Sequence, residues 1–538
     1  MRLVVLVAGL LLIPTLPALP AAGADWQEGR NDSIIEMADG TLIDATMWIP
    51  TGTAPGARLP AIVIIHGYGG SKAVGDAHRA ADHGYVGFAY STRGFGESTG
   101  HMDVAGPASI ADLKALVAWL KANGPVDAAR VGVTGASYGG GHSLQIATDP
   151  DAGVATVVPI VPWSDLGKAL FPNRVFKLSY ASGFYATGNG LVQSGDQPVE
   201  LEVAGVDVGR RQLYDTYDPS VHVSYAEAVA GLGQSDLDAF ARARSAAVNV
   251  DKITIPIFII QGLSDDLFPG DQALGFFEQI PAKDKKLYLG FVGHPRARGA
   301  GPEADYLYEQ LYAWFDFYLK GTGESPVSKR FPIEVGKDVW DGTTLKLQAW
   351  PSPDGGFPLA LNGDGSLGAP ATPAVGQLVN TFAAGFHDEP VVFPTLGVDD
   401  GAAQLPDSTP LDTLAFRSGE LTQATELLGT PRAELRLTAV GRSYQVAVKL
   451  YDVAPDGTAT LVTRGIWGAP DHVSPLPERV VVDLQPYRHT FGAGHRVEVR
   501  VAASDFPTYM PEKTPFALLI DLGAGGSVVR LPLSTPLP

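Results

Sequence analysis

Short, uninterrupted apolar runs recur along the first part of the chain, and segments of helix length separate several of them. Residues 61–66 read AIVIIH, a β-branched run typical of strands that are buried on both faces of a parallel sheet. Similar runs lie at 85–90, 131–134, 154–161, 255–260 and 286–291. The intervening segment 110–120 places five apolar side chains on one helix face: Ile110, Leu113, Leu116, Val117 and Leu120. Alternating strand and helix predicts an α/β fold, a parallel sheet with helices on both faces.

A hairpin precedes this alternation, and an aromatic-rich segment interrupts it. Residues 33–50 carry two alternating apolar runs around Asp39-Gly40, which predicts an opening β-hairpin. Residues 164–250 are rich in aromatic side chains and include a helical run at 235–247. We expect a helical cap insertion over the carboxyl edge of the sheet, where such folds bind ligands. An ordinary surface excursion without a substrate role is the alternative.

The character of the chain changes again at about residue 326. Short alternating strands separated by Gly, Pro and Asp turns follow, and they predict an all-β sandwich or jelly-roll domain. The expected organisation is therefore an α/β domain at 25–163 and 251–325, a cap at 164–250 and a β domain at 326–538.

The N-terminus has the features of a secretory signal peptide. Met1-Arg2 is followed by an apolar run at 3–13 and then by the small residues Ala22-Gly23-Ala24. This pattern predicts cleavage after Ala24 and an extracellular protein without stable membrane insertion, because the apolar run is short for a bilayer span. An uncleaved membrane anchor is the alternative.

Charge and composition exclude several classes of function. The 39 basic and 58 acidic residues give a net charge of -19, which disfavours a nucleic-acid partner. The absence of cysteine excludes disulfides, thiol catalysis and thiolate metal sites. No H-E-x-x-H or comparable spacing occurs, so we expect neither a metal nor another cofactor.

Residues 130–141 read RVGVTGASYGGG, a short apolar strand followed by G-x-S-x-G and a helix-compatible segment. This is the nucleophile-elbow pattern of α/β-hydrolases, and it assigns Ser137 as the catalytic nucleophile. A serine that merely caps a helix after a glycine turn would not require glycine on both sides.

A serine nucleophile needs a base that is itself held by an acid, and in this fold the chain order is Ser, acid, His. Asp265 follows the predicted strand 255–260 and is our choice of acid, with the adjacent Asp266 as the competitor. His294 follows the strand 286–291 and is the only histidine between His222 and His387, which makes it the predicted base.

The oxyanion of a tetrahedral intermediate needs hydrogen-bond donors. The backbone N–H of Tyr138, directly after the nucleophile, is the first candidate. The second lies in the loop 66–70 (HGYGG), where Tyr68 offers either its backbone N–H or its hydroxyl.

These motifs resemble those of the X-Pro dipeptidyl-peptidase and cocaine-esterase (CocE/NonD) family of serine hydrolases. The resemblance rests on 37–50 (MADGTLIDATMWIP), 91–100 (STRGFGESTG), GASYGG, GLSDDLFP and 416–429 (FRSGELTQATELLG). It implies an α/β-hydrolase core, a helical cap and a jelly-roll domain, with the triad on Ser137, Asp265 and His294 and the oxyanion tyrosine at Tyr68. In that family a proline precedes the tyrosine, whereas this chain has Gly67 there.

The predicted function is hydrolysis of an acyl ester or an Xaa-Pro amide through an acyl-enzyme, with a small-molecule ester or short peptide as substrate. A dipeptidyl-peptidase needs a buried acid for the substrate's ammonium group. Asp165, close to Trp163 at a sheet end, is the candidate for substrate binding, although a solvated surface acid is the alternative. A second class of function is a carbohydrate-binding or adhesion protein with a degenerate hydrolase domain.

Overall fold

The structure is a computed structural model that describes residues 26–188, 202–203, 206–207, 216–294, 301–380, 402–404, 411–472 and 474–538. The predicted signal peptide lies outside these residues. In the described part of the chain, no helix is long and apolar enough to cross a membrane.

One ten-stranded sheet forms the centre of the first part of the chain, in the order β1-β2-β4-β3-β5-β6-β9-β10-β11-β12. Its strands are Gly29–Glu36 (β1), Leu42–Ile49 (β2), Leu59–Ile65 (β3), Val86–Tyr90 (β4), Val126–Ala136 (β5), Thr156–Ile160 (β6), Ile257–Gly262 (β9), Lys285–Gly290 (β10), Ile333–Val335 (β11) and Leu345–Leu347 (β12). Glu202–Val203 (β7) and Val206–Asp207 (β8) pair only with each other. The strands from β4 through β11 run parallel along this order, and β1 and β2 form the predicted antiparallel hairpin.

Helices cover both faces and the carboxyl edge of this sheet. They are Val74–Asp82 (α1), Pro107–Asn123 (α2), Tyr138–Ala147 (α3), Leu166–Leu170 (α4), Leu178–Gly188 (α5), Pro219–Ala230 (α6), Gln234–Arg242 (α7), Asp271–Gln279 (α8) and Pro302–Phe315 (α9). In β3, Val63 and Ile65 face the apolar core beneath α2, α3 and α8, whereas Ile62 and Ile64 face the core beneath α1 and α9. This two-residue alternation with apolar side chains on both sides is why the strand reads as a continuous apolar run. The predicted α/β class is confirmed.

The segment between β6 and β9 is largely helical where it is described, with α4 to α7. Tyr180 and Tyr217 of this segment share a buried apolar cluster with Tyr138, Leu267 and Phe268. The last three residues follow the carboxyl ends of β5 and β9, so the segment packs over the carboxyl edge of the sheet.

An all-β domain follows, as predicted. Its strands are Phe357–Leu361 (β13), Leu367–Gly368 (β14), Ala374–Asn380 (β15), Ala402–Gln404 (β16), Thr413–Arg417 (β17), Thr425–Gly429 (β18), Arg432–Val440 (β19), Tyr444–Val453 (β20), Thr458–Ala469 (β21), Glu478–Asp483 (β22), Tyr487–Phe491 (β23), Arg496–Ala502 (β24), Phe516–Leu522 (β25) and Val528–Leu531 (β26). They form a seven-stranded and a five-stranded antiparallel sheet and the pair β18-β23. Leu435 and Leu437 of the larger sheet and Val446 and Val448 of the smaller one share one apolar core, as in a sandwich.

The boundary predicted between residues 325 and 326 is wrong. β11 pairs in parallel with β10, and β12 pairs antiparallel with β11, so the central sheet extends to Leu347. β12 lies beyond the predicted boundary because the alternation of its residues fits any half-exposed strand. Three-residue strands carry too little pattern to reveal their partner.

Candidate active site

Ser137 lies in the sharp turn between β5 and α3. Its backbone has φ 56° and ψ -110°, a conformation that L-residues rarely adopt and that marks a strained functional turn. The Ser137 N–H donates to the Ile160 carbonyl (2.9 Å), which anchors the turn to β6. A Cβ atom at Gly139 would overlap the Ile65 carbonyl of β3, so the close approach of helix and strand requires glycine there.

The structure joins Ser137, His294 and Asp265 in one hydrogen-bonded chain. Ser137 Oγ lies 2.7 Å from His294 Nε2, and His294 Nδ1 lies 2.7 Å from Asp265 Oδ2. The backbone N–H of His294 also donates to Asp265 Oδ2 (3.2 Å). The Asp265 side chain is completely buried, whereas that of His294 is 16% exposed. Because β5, β9 and β10 are parallel, the three loops that carry these residues meet at one sheet edge.

The geometry distinguishes the two adjacent acids. Asp265 Oδ1 accepts hydrogen bonds from the backbone N–H groups of Leu267 and Phe268 (both 2.9 Å), which leaves Oδ2 directed at His294. The Asp266 carboxylate instead lies 4.0 Å from the Arg464 guanidinium, which belongs to the β domain. Asp265 is therefore the acid placed against the imidazole.

Two neighbours of His294 were not singled out from the sequence. Gly293 has φ +116°, and a Cβ atom there would overlap the Asp265 carboxylate. The Phe268 ring packs edge-on against the imidazole, with 5.2 Å between ring centroids. Together they fix the path of the loop and the position of the histidine ring. The glycine directly before the histidine was the available sequence signal.

The loop that carries Tyr68 runs beside the nucleophile. A Cβ atom at Gly67 would lie 4.0 Å from Ser137 Cβ. The Tyr68 hydroxyl donates to the Phe184 carbonyl (3.1 Å) and forms a short hydrogen bond with the Tyr217 hydroxyl. Burial raises the pKa of Tyr68 well above its ordinary value. The hydroxyl is thus already engaged by the cap, which favours the backbone N–H groups of this loop and of Tyr138 as oxyanion donors.

A cavity of about 160 Å³ opens at Ser137. Its lining residues are Tyr68, Met102, Val104, Ser137, Tyr138, Trp163, Leu166, Leu170, Phe171, Phe176, Ala181, Phe184, Tyr185, Tyr217, Val221, Ser224, Tyr225, Ala228, Leu237, Phe240, Ala241, Leu267 and Phe268. Trp163 is thus placed at the cavity, whereas Asp165 is not in the lining. The Asp165 carboxylate accepts the Lys168 N–H (3.1 Å) and caps α4.

A buried lysine supports the loop that carries the acid. Lys177 Nζ donates to the carbonyl oxygens of Asp266 (2.7 Å) and Leu267 (2.8 Å). Burial lowers the pKa of Lys177 to about 8. No sequence pattern indicates this role, because most of the cap separates the lysine from the loop along the chain.

No group of three or more His, Cys, Asp or Glu side chains within the described ranges is arranged to hold a metal ion. The chemistry that the site offers is nucleophilic attack by a serine, with an acid-oriented imidazole as proton acceptor.

Comparisons with known proteins identify the family that this chain is similar to. The sequence profile of X-Pro dipeptidyl-peptidase (S15 family) matches residues 39–296, and that of the X-Pro dipeptidyl-peptidase C-terminal non-catalytic domain matches residues 282–521. The chain is 26% identical over 482 residues to cocaine esterase from Rhodococcus sp. (strain MB1 Bresler), covering 79% of this chain and 81% of the esterase.

Two further proteins are similar to this chain in sequence or in fold. A Bacillus anthracis protein assigned as an Xaa-Pro dipeptidyl-peptidase is 23% identical over 419 residues, which cover 75% of this chain and 63% of that protein. The solved structure of an α-amino acid ester hydrolase shares the fold, with a TM-score of 0.71 and 20% identity over 98% of this chain and 100% of the other. The resemblance drawn from the motifs is confirmed.

Proposed function

Because the chain belongs to the X-Pro dipeptidyl-peptidase (S15) family of serine hydrolases, we propose that it cleaves an acyl ester or amide bond through an acyl-enzyme on Ser137. The observation that carries this proposal is the unbroken hydrogen-bonded chain from Ser137 through His294 to Asp265. Membership of this family supports a hydrolytic function, and the triad provides the catalytic groups.

In the first half of the reaction, Ser137 Oγ attacks the substrate carbonyl carbon while His294 Nε2 accepts the hydroxyl proton. Asp265 accepts the Nδ1–H hydrogen bond and stabilises the imidazolium that forms. The developing oxyanion accepts hydrogen bonds from the Tyr138 N–H and from the N–H groups of the loop around Gly67. When the intermediate collapses, the bond to the leaving alcohol or amine breaks, and His294 returns the proton to that leaving group.

In the second half, water takes the place of the leaving group. His294 removes a proton from the water, and the resulting hydroxide attacks the ester carbonyl on Ser137. The Ser137 Oγ–C bond then breaks, and the proton passes back to the serine as the carboxylic acid departs. The enzyme thereby returns to its starting protonation state.

The N-terminal pattern supports export. We propose that residues 1–24 direct secretion and are removed after Ala24. N-terminal sequencing of protein recovered from culture medium tests this, with Asp25 as the expected first residue. A product that begins at Met1 and sediments with membranes would contradict it.

The experiment that tests the hydrolytic mechanism is labelling by a fluorophosphonate probe followed by peptide mass spectrometry. We expect one adduct, on Ser137, and we expect Ser137→Ala to lose both labelling and turnover while keeping the wild-type melting temperature, since it removes one hydroxyl and little packing. Ser143, which donates to the Gly139 carbonyl behind the turn, provides a matched control as Ser143→Ala. An unlabelled but folded wild-type protein would favour the carbohydrate-binding alternative, which the intact triad argues against.

A further inference from the structure

The described wall of the cavity at Ser137 is uncharged. Aromatic and aliphatic side chains and two serines, Ser137 and Ser224, line it, and no acidic or basic side chain is among the described lining residues. These described residues therefore provide dispersion contacts and ring faces, but no counter-ion for a charged substrate group.

The polar ends of the aromatic residues in this wall are occupied by other parts of the protein. Five tyrosines and one tryptophan line the cavity. Their partners are Tyr217 and the Phe184 carbonyl for Tyr68, the Ala105 N–H for Tyr138 (3.1 Å), His222 Nδ1 for Tyr185 (2.9 Å), the Tyr68 hydroxyl for Tyr217, Ser182 Oγ for Tyr225 (3.0 Å) and the Arg244 carbonyl for the Trp163 indole N–H (2.7 Å). A ligand in the cavity thus meets rings rather than hydroxyl groups.

Three of the carboxylates that flank lining residues in sequence cap helices. Asp165 caps α4. Asp218 accepts the Ser220 N–H at the start of α6 (2.9 Å). Asp103 accepts the Gly106 N–H at the start of α2 (3.1 Å). Each satisfies the backbone at a helix N-terminus, so none is directed at a substrate ammonium.

The position of His294 indicates which half of the substrate fills the cavity. His294 returns its proton to the leaving group, and this residue is not part of the cavity lining, whereas Ser137 and Tyr138 are. The leaving group therefore lies on the histidine side, and the acyl chain attached to Ser137 extends into the cavity. Its volume of about 160 Å³ is close to that of a dry cavity of about 150 Å³ that accommodates benzene.

We infer that the acyl group accepted by Ser137 is uncharged and hydrophobic, with the bulk of a phenyl ring or a chain of about six carbons, and that substrates with a free α-ammonium group are disfavoured. This inference rests on the proposed acyl-enzyme function. An ammonium ion in this cavity would lose its hydration without meeting a counter-ion among the described lining residues, which is costly.

The first test compares kcat/KM for 4-nitrophenyl esters of increasing acyl length on the full mature chain. We expect a rise of about fourfold per methylene from acetate to about hexanoate, the equivalent of about 0.8 kcal/mol for each buried CH₂, and a decline beyond that length. A flat profile, or a maximum at acetate, would overturn the inference.

The second test isolates the charge with two esters of nearly equal shape. 4-Nitrophenyl 3-phenylpropanoate and the 4-nitrophenyl ester of phenylalanine differ only by the α-amino group, which is protonated at pH 6. We expect the neutral ester to be favoured about 100-fold, and Ala-Pro 4-nitroanilide to be a poor substrate. Equal or better turnover of the ammonium substrates would overturn the inference, whereas the acyl-enzyme proposal would stand as long as Ser137 is still labelled.

A matched pair of variants links the preference to this cavity. Ala228 on α6 is buried in the lining, whereas Ala226 on the same helix is exposed. Ala228→Leu should lower the ratio of hexanoate to acetate hydrolysis about tenfold, and Ala226→Leu should keep the wild-type ratio. If both variants kept the wild-type profile, the acyl chain would have to bind elsewhere.

Discussion

Replacing Asp265 with asparagine tests the geometry of the triad in a way that the adjacent acid can control. The Leu267 and Phe268 N–H groups both point at Asp265 Oδ1. They hold an asparagine with its amide oxygen toward them, because the opposite orientation would set its NH₂ group against two backbone donors, whereas this one opposes only the His294 N–H. The amide NH₂ then faces His294 Nδ1 and donates to it, which places the imidazole proton on Nε2.

In that tautomer, His294 Nε2 cannot accept the Ser137 proton. The loss of kcat should be about 10⁴-fold, the size found when the corresponding acid of a serine protease is replaced by asparagine. Asp266→Asn is the control, because the Asp266 carboxylate lies 4.0 Å from Arg464 and does not contact the histidine. It should lower the melting temperature by weakening a buried charge pair, but change kcat by less than about tenfold.

The assay is kcat on a 4-nitrophenyl ester, together with the rate of fluorophosphonate labelling and thermal unfolding of each variant. Labelling should slow in parallel with kcat in Asp265→Asn, because the same proton transfer activates the serine. Equal losses in the two variants, or more than 1% residual activity in a folded Asp265→Asn protein, would refute the argument from amide orientation.

Three further predictions concern residues around the triad. Lys177→Met should cost about 3 to 5 kcal/mol of unfolding free energy in urea titrations, because it leaves the acid-loop carbonyls and buried acids without their cation, whereas the exposed Lys168→Met should change stability by less than about 0.5 kcal/mol. Gly293→Val should reduce kcat/KM by about 100-fold or more by displacing the Asp265 carboxylate, and an active variant would show that the loop tolerates a side chain. Burial lowers the pKa of His66 from 6.5 to about 4. Between pH 6.5 and pH 4 the unfolded chain therefore binds a proton at this residue that the folded chain does not bind. The free energy of unfolding should fall by about 3 kcal/mol as the pH drops through this window. Because glutamine does not titrate, the decrease in unfolding free energy between pH 7 and pH 4 should be about 3 kcal/mol smaller in His66→Gln than in the wild type. An unchanged pH dependence would rule out this role for His66.

The sequence determined the parts of this protein that local pattern controls. Continuous apolar runs identified the buried parallel strands, because side chains on both faces of β3 are in apolar cores. The succession of a strand, the G-x-S-x-G motif and a helix identified Ser137 as the candidate nucleophile. The order of the triad along the chain restricted the candidate base to His294. Parallel strands end at one edge, so the approach of Ser137, the acid loop and His294 followed from sequence as well.

Tertiary structure decided everything that depends on the direction of a side chain or on a distant partner. Asp265 faces the histidine because two backbone N–H groups of its own loop orient it, and no spacing rule separates it from Asp266. The engagement of Tyr68 depends on Tyr217, which is 149 positions away. β11 and β12 belong to the central sheet because of their partners, which three-residue strands do not encode locally. Local propensity specifies an element, but the burial of a polar group and the choice of its partner are settled only when the whole chain packs.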